Sequence, residues 1–253
     1  MVVSVLDDVV HKVRADEAGA AGDEKSHMPD SSEGARGARE CPIGRLALVQ
    51  IRELSVPGAF EVTPRQFPDD RGTFWEWYRF DALAEAVGHP LNLKQGNGSV
   101  SRKGVVRGIH FADVPPSQAK YVTVTHGAVL DFVIDIRVGS PTFGQWASVL
   151  LDTVDRRALY LGEGLGHCFV ALEDDTVVSY LVSEVFSPTR EHGITPLDET
   201  IGLEMPLPHD QLLLSPKDVE APTLLEAQAA GLLPSWDAAR AFTGSLDTEW
   251  RAL

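Results

Sequence analysis

Four short segments of the sequence combine side chains that can move protons or bind anions. They are residues 70–76, residues 106–111 with Lys120 ten residues beyond His110, residues 162–169 and residues 214–218. A positioned histidine is suited to general-base catalysis, and lysine or arginine is suited to binding negative charge. Each segment alone is a weak signal, because a lone histidine on a strand is more often structural than catalytic.

Some of these residues also fit motifs that their context argues against. Gly162, Gly164 and Gly166 suggest a phosphate-binding loop, but a strand is predicted to follow them, which excludes a P-loop or dinucleotide motif. Cys168, beside His167, has the type of a nucleophile, although buried, unreactive thiols are commoner. Asp131 and Asp135 are expected to line a half-exposed strand face.

The elements that must position these residues are predicted to be short β-strands. Residues 120–137 give the clearest pattern, with a turn at His126 and Gly127 and alternating faces in the second half. Further strands are predicted at residues 105–111, 146–152, 157–161, 167–171 and 177–185. Many short strands without helices between them favour an antiparallel sandwich or barrel over βαβ units.

Helical signals lie at the margins of this β region. Residues 81–87 form one predicted helix, closed by Gly88. Thr223 and Glu226 form a possible capping box before a second helix, which Gly231 would end, and residues 235–242 are a third candidate. Residues 1–45 contain no Phe, Trp or Tyr. We therefore expect a disordered extension over 1–45, a β domain over 46–220 and a helical segment over 221–253.

Composition and charge exclude several classes of protein. The 253 residues have a formal net charge of −15, which disfavours binding to nucleic acid or to anionic membranes. The only cysteines, Cys41 and Cys168, form neither a disulfide framework nor a zinc cluster. The sequence has no apolar run of transmembrane length, and Asp7 and Asp8 stand where a signal peptide carries positive charge. These features predict a cytoplasmic protein.

Taken together, the segments resemble the dTDP-4-keto-6-deoxyhexose 3,5-epimerases (dTDP-4-dehydrorhamnose 3,5-epimerase-like). Within that family, they are most similar to the 5-epimerases of antibiotic deoxysugar pathways. The resemblance runs from about residue 63 to 234. It includes residues 135–144, and the ordered set of Arg-Gly-Ile-His, Lys120, His167, Tyr180 and Pro-Lys-Asp. It implies an all-β, cupin-type jelly roll (an antiparallel β-sandwich) with short peripheral helices at the C-terminus. It also implies a homodimer that exchanges N-terminal strands, with the active site inside the barrel.

The resemblance implies a role for each matching residue. His110 matches the general base, Asp218 the carboxylate that orients it and Tyr180 the proton donor. Lys120 matches a residue that lines the sugar pocket, and as a cation it is suited to stabilising the negative charge of the enolate oxygen. The substrate is a dTDP-linked 4-keto sugar, and neither a cofactor nor a metal is implied. The matching substrate-binding positions are Arg71, Glu76, Gln95, Asn97, Arg107, His167, Glu191 and Lys217. Asp131 is expected to support His167 as Asp218 supports His110, although Asp135 is predicted to lie on the same strand face and the sequence does not choose between the two carboxylates.

Departures from the family pattern leave the specificity open. Gly96 and Gly98 flank Asn97, Phe111 follows the Arg-Gly-Ile-His motif, and Val185 replaces an aromatic residue. The sequence therefore decides neither which deoxysugar is bound nor whether C3, C5 or both are epimerised.

Two other functions remain as alternatives. A metal-dependent cupin dioxygenase or isomerase is disfavoured because Ala112 stands where a His-x-His pair would supply a second ligand. A non-catalytic sugar-nucleotide-binding cupin is disfavoured because a binding protein has no need of Lys120, Tyr180 and Asp218 alongside His110.

Overall fold

The structure is a computed structural model that describes residues 49–252. The expected disorder of residues 1–45 lies outside these described residues. In chain order, the described strands and α-helices are β1 (Val49–Glu53), β2 (Ala59–Pro64), β3 (Gln66–Asp69), β4 (Gly72–Trp75), α1 (Phe80–Val87), β5 (Gln95–Ser101), β6 (Val106–Ala112), β7 (Lys120–His126), β8 (Ala128–Ile134), β9 (Trp146–Asp152), β10 (Ala158–Leu161), β11 (Gly166–Ala171), β12 (Thr176–Val182), β13 (Glu191–Gly193), α2 (Pro216–Val219), α3 (Leu224–Ala229) and α4 (Trp236–Arg251), and a 3-10 helix, His209–Gln211, precedes α2.

The strands form two large antiparallel sheets. The six-stranded sheet has the order β1-β2-β10-β7-β12-β5, and the five-stranded sheet has the order β13-β6-β11-β8-β9. Strands that follow each other in sequence often belong to different sheets, so the chain crosses repeatedly between the layers, as in a jelly roll. The predicted antiparallel sandwich is confirmed. The β3–β4 hairpin pairs only with itself and belongs to neither large sheet.

Both faces of the five-stranded sheet are covered. Alternate residues of β8 fall into two hydrophobic clusters, with Val129 and Val133 in one and Leu130 and Phe132 in the other. The second cluster includes Leu224 from the C-terminal segment. Every residue of β8 is therefore buried. The expectation of a half-exposed face is wrong, because the sequence of one strand does not reveal what covers its sheet.

Residues 135–144 form a turn rather than a continuation of the strand. β8 ends at Ile134, and the Asp135 carboxylate is fully buried. It accepts hydrogen bonds from Arg137 Nε and Nη2, both at 2.8 Å, and from Ser140 Oγ and Thr142 Oγ1, both at 2.6 Å. Burial alone would raise the pKa of Asp135, but these bonds lower it. This part of the family pattern is therefore structural.

The helices largely match the sequence signals. α1 ends at Gly88, which has a left-handed φ of 101°, and the capping box of Thr223 and Glu226 begins α3. α4 extends to Arg251 instead of ending near residue 242, and Gly244 lies within it. None of the helices among residues 49–252 has the length and apolar character needed to cross a bilayer.

Candidate active site

A pocket of about 680 Å³ lies between the two sheets. Its walls combine residues far apart in sequence, because strands of both sheets line it. The six-stranded sheet contributes Gln95, Asn97, Lys120 and Tyr180, and the five-stranded sheet contributes Arg107, His110, His167 and Glu191. Lys217 and Asp218 reach it from α2. The structure thus brings together most of the residues that the sequence singled out.

His110 and Asp218 form a hydrogen-bonded pair. Nε2 of His110 is 2.8 Å from Oδ1 of Asp218, although the residues are 108 apart in sequence. Ser215 begins α2 and donates to the other oxygen of Asp218 at 2.8 Å, which holds the carboxylate in position. Burial would raise the pKa of Asp218, but these two hydrogen bonds lower it. The ionised carboxylate of Asp218 favours the tautomer in which Nε2 of His110 carries the hydrogen, and in that tautomer Nδ1 is the basic nitrogen.

A β-bulge brings Arg107 and His110 to the same pocket. Three residues apart on a regular strand, they would point to opposite faces. Against β11, however, His110 pairs with His167 and Arg107 pairs with Phe169, so β6 has one extra residue between the two pairs. Gly108 lies in this bulge with a φ of +137°, and a Cβ there would stand 2.5 Å from the Cα of Cys168. The motif therefore requires glycine for steric reasons.

A second histidine–carboxylate pair lies beside the first. His167 Nε2 is 2.7 Å from Oδ1 of Asp131, which is fully buried on the neighbouring strand β8. Burial raises the pKa of Asp131, and the interaction with His167 opposes that rise. Asp131, and not Asp135, is thus the carboxylate behind His167.

Lys120 can supply a cation to the pocket, and Tyr180 can supply a protonated phenol. Burial lowers the pKa of Lys120 to about 8, and the charge of Glu191 works in the opposite direction. Burial raises the pKa of Tyr180, so the phenol keeps its proton at neutral pH. In the six-stranded sheet, Tyr180 lies between Asn97 and Val122 on the neighbouring strands.

Arg71 and Glu76 lie apart from this pocket. Arg71 is exposed at the tip of the β3–β4 hairpin, where its Nε donates to Asp69 at 3.1 Å. Glu76, just after β4, accepts from Arg79 at 3.2 Å. Neither residue lines the pocket of its own chain, because the hairpin is separate from both large sheets. Their assignment to substrate binding stays a prediction that requires the hairpin of a second copy.

The pocket also contains residues that the sequence argument missed. Gln118, Ser99 and Arg102 line it, as does Phe186. Gln118 is two residues before Lys120 and therefore points to the same side of an extended segment, which is the signal that would have found it. Phe111, by contrast, is buried in the cluster on the outer face of the five-stranded sheet and does not reach the pocket.

Two observations on the described residues concern metal and thiol chemistry. No group of three or more His, Cys, Asp or Glu side chains among residues 49–252 is arranged to hold a metal ion. The Cys168 thiol is buried, and burial raises its pKa well above the ordinary value, which is the opposite of an activated nucleophile.

A jelly roll whose pocket is lined by two histidines, each backed by a carboxylate, and by a buried lysine has the side chains that general acid–base chemistry requires. The profile of the dTDP-4-dehydrorhamnose 3,5-epimerase family matches residues 53–226, and the chain belongs to this family. It is 55% identical over 196 residues to the dTDP-4-dehydrorhamnose 3,5-epimerase of Mycolicibacterium smegmatis, covering 77% of this chain and 96% of that protein.

Other relatives are named for the same or a narrower epimerase activity. The dTDP-4-dehydrorhamnose 3-epimerase of Streptomyces niveus is 51% identical over 77% of this chain and 93% of its own length. Among solved structures, the rmlC epimerase of Mycobacterium tuberculosis matches with a TM-score of 0.76 and 49% identity, covering 78% of this chain and 99% of that chain. The ChmJ 3'-monoepimerase of Streptomyces bikiniensis, in complex with dTDP-quinovose, matches with a TM-score of 0.74 and 42% identity, covering 77% and 98%.

Proposed function

We propose that this protein epimerises a dTDP-linked 4-keto-6-deoxy sugar at C5, C3 or both, by removing a proton next to the C4 ketone and returning one from the opposite face. The observation that carries the proposal is that His110 and Tyr180 line one pocket from different sheets. A sugar ring held between the sheets would then have a base on one face and an acid on the other.

The first half-reaction belongs to His110. Its Nδ1 takes the proton from carbon, the C–H electron pair forms the new C=C bond, and the carbonyl pair moves onto O4 to give an enolate. Asp218 stabilises the imidazolium that results, as the carboxylate of a catalytic triad does. The Lys120 ammonium stabilises the negative charge on O4, and burial strengthens that interaction because water does not screen it.

The second half-reaction belongs to Tyr180. The enolate electrons return to carbon, which takes the phenolic proton on the face opposite His110. The phenol of Tyr180 carries its proton at neutral pH, as a proton donor must. The His110 side chain is 39% exposed. Solvent can therefore take the proton from the imidazolium between turnovers, and it returns one to the Tyr180 phenolate.

Binding of the diphosphate needs local positive charge, since the whole chain has a formal net charge of −15. Arg107, Arg102 and Lys217 line the pocket and supply it. Gln95 donates to Asn97 at 2.7 Å, which fixes both amides in the wall for recognition of polar groups of the nucleotide.

A homodimer belongs to the proposal as well. Phe74 on the hairpin is 67% exposed and lies near Arg71 and Glu76. Packing of the hairpin against a second copy would cover Phe74 and could bring both charged residues to the partner's pocket. A cytoplasmic location and the division at residues 45 and 220 likewise stay predictions.

The test is solvent-deuterium uptake by a dTDP-4-keto-6-deoxyglucose incubated with the purified protein in D₂O and followed by NMR. We expect deuterium at C5, C3 or both, with product of inverted configuration, and the labelled carbon identifies the specificity. Binding of the sugar nucleotide without exchange would instead identify a non-catalytic binding protein. Exchange that a chelator abolishes would identify the metal-dependent alternative.

A further inference from the structure

We propose that Gln118 is a positioning residue that holds the Lys120 ammonium and the Glu191 carboxylate at their places in the pocket through its side-chain amide. This inference rests on the proposed function, because it assigns how the cation at the enolate oxygen is held.

The side-chain amide of Gln118 connects the two charged groups. Its Oε1 accepts a hydrogen bond from Lys120 Nζ. Its Nε2 donates to Oε1 of Glu191 at 3.3 Å and to the carbonyl oxygen of Glu184 at 3.1 Å. The partners determine the orientation of the amide, since an ammonium only donates, whereas a carboxylate and a carbonyl only accept.

The backbone around Gln118 is anchored on both sides. Ser117 accepts through its hydroxyl from the amide of Gly164 at 2.9 Å. The amide of Ala119 donates to Ser183 Oγ at 2.8 Å, and its carbonyl accepts from the amide of Ser183 at 3.0 Å. Because its neighbours are fixed, the Gln118 side chain has a defined origin, which is what a positioning residue requires.

An amide suits this place better than a charged or an apolar side chain. A carboxylate at position 118 would neutralise the ammonium and repel Glu191. An apolar side chain would leave the buried ammonium of Lys120 without its acceptor, which is costly for a charged group. An amide keeps Lys120 cationic, and it separates Lys120 from Glu191 so that the ammonium stays directed at the substrate oxygen.

Because the pKa of Lys120 is lowered, the hydrogen bond that Gln118 accepts from its ammonium affects whether the group is charged. With a pKa of about 8, the ammonium has a small margin at neutral pH, so the loss of one acceptor reduces its charged fraction. The variants proposed below leave the other ionisable groups around the pocket unchanged; these are Arg107, His110, His167, Tyr180, Glu191 and Asp218, with Arg102 and Lys217.

The first experiment compares Gln118→Met with a matched control, Gln228→Met, on the exposed face of α3. We expect Gln118→Met to lower kcat for deuterium exchange by roughly 10- to 100-fold, with dTDP affinity changed by less than about 3-fold. In the Lys120→Met background, the same substitution should have almost no further effect on exchange, because residues that act as a unit are not additive. Full additivity, or an unchanged kcat, would overturn the proposal.

The second experiment does not depend on activity. The pKa of Lys120 is measured by NMR of its Nζ and Cε signals, assigned by their loss in Lys120→Met. Gln118→Met should lower this pKa, and Gln118→Glu, which keeps an acceptor and adds charge, should raise it. Gln118→Glu also replaces Gln118→Met if the latter does not fold. An unchanged pKa in the folded variants would refute the proposal, whereas absent exchange in the unsubstituted protein would refute only the proposed function.

Discussion

At the scale of single residues, substitutions of His110 and Tyr180 should have different effects on deuterium exchange and on inversion. His110→Ala should reduce both deuterium exchange and inversion by about 10²- to 10⁴-fold, because no enolate forms. Tyr180→Phe should still form the enolate and take a proton back on the original face, so exchange persists while the inverted product falls sharply. NMR of the same reaction in D₂O measures both quantities.

The control for this pair is dTDP binding, which neither substitution should change strongly, since both residues act on the sugar. Equal loss of exchange and inversion in Tyr180→Phe would mean that Tyr180 is needed before or during proton removal. The assignment of Tyr180 to the opposite face would then be wrong.

The Lys120 charge that serves catalysis destabilises the fold. Burial lowers its pKa from the ordinary 10.5 to about 8, a penalty on the order of 3 kcal/mol. Between these two values the unfolded chain binds more protons than the folded protein, so the penalty is complete below pH 8 and is lost as the pH rises toward 10.5.

Lys120→Met removes this titration. We therefore compare the free energy of unfolding of this variant with that of the unsubstituted protein. The variant's advantage should be largest below pH 8 and should fall by about 3 kcal/mol as the pH rises toward 10.5. Urea unfolding at several pH values measures the difference. A difference that does not change with pH would mean that Lys120 is less desolvated than the structure implies.

At the scale of elements, the β6 bulge is the feature that makes the site. Gly108→Ala would bring a Cβ to 2.5 Å from both the Cα of Cys168 and the carbonyl oxygen of His167. Backbone atoms cannot move aside as a flexible side chain can, so the strands would have to separate. We expect destabilisation of about 3 kcal/mol or more, and loss of exchange activity in the protein that remains folded.

Gly244→Ala is the matched control, because Gly244 lies within α4 and its added methyl group meets nothing within 4 Å. This change should stabilise the protein by about 0.5–1 kcal/mol. Thermal unfolding of the two variants measures both changes in stability. Equal behaviour of both would mean that β11 can accommodate a side chain at position 108.

At the scale of the whole molecule, the hairpin tests the dimer. Phe74→Asp should give a monomer by light scattering, because a charge on the exposed ring position opposes burial against a second copy. Leu225→Asp, at a site on α3 that is 55% exposed, should leave the oligomeric state unchanged. A dimer in both variants would remove the hairpin from the interface.

Mixing two inactive variants tests whether Arg71 binds substrate in the pocket of the other subunit. His110→Ala retains its hairpin but has no base, and Arg71→Ala retains its base but has no guanidinium. If the hairpin serves the partner, mixed dimers contain one complete site, and activity should return when subunits exchange. No recovery after verified exchange would mean that Arg71 serves its own chain or is not needed.

The sequence by itself determined the strand-rich class, the capping box of Thr223 and Glu226, and the residues that could carry the acid–base chemistry. These follow from local properties: alternation of apolar residues along a strand, the hydrogen-bonding of a helix start, and the proton affinity of a side-chain type. They do not depend on which segments become neighbours, so the sequence alone was enough.

Only the tertiary structure decided which side chains meet. Strict alternation separates Arg107 from His110, and the extra residue opposite β11 brings them together. Alternation also predicts that Asp131 and Asp135 lie on the same strand face. In the structure β8 ends at Ile134, so Asp131 binds His167 whereas Asp135 accepts the hydrogen bonds of the following turn. The bridge from Lys120 through Gln118 to Glu191 likewise joins separate strands. Register, bulges and sheet coverage are set by partners distant in sequence, and for that reason local patterns could not reveal them.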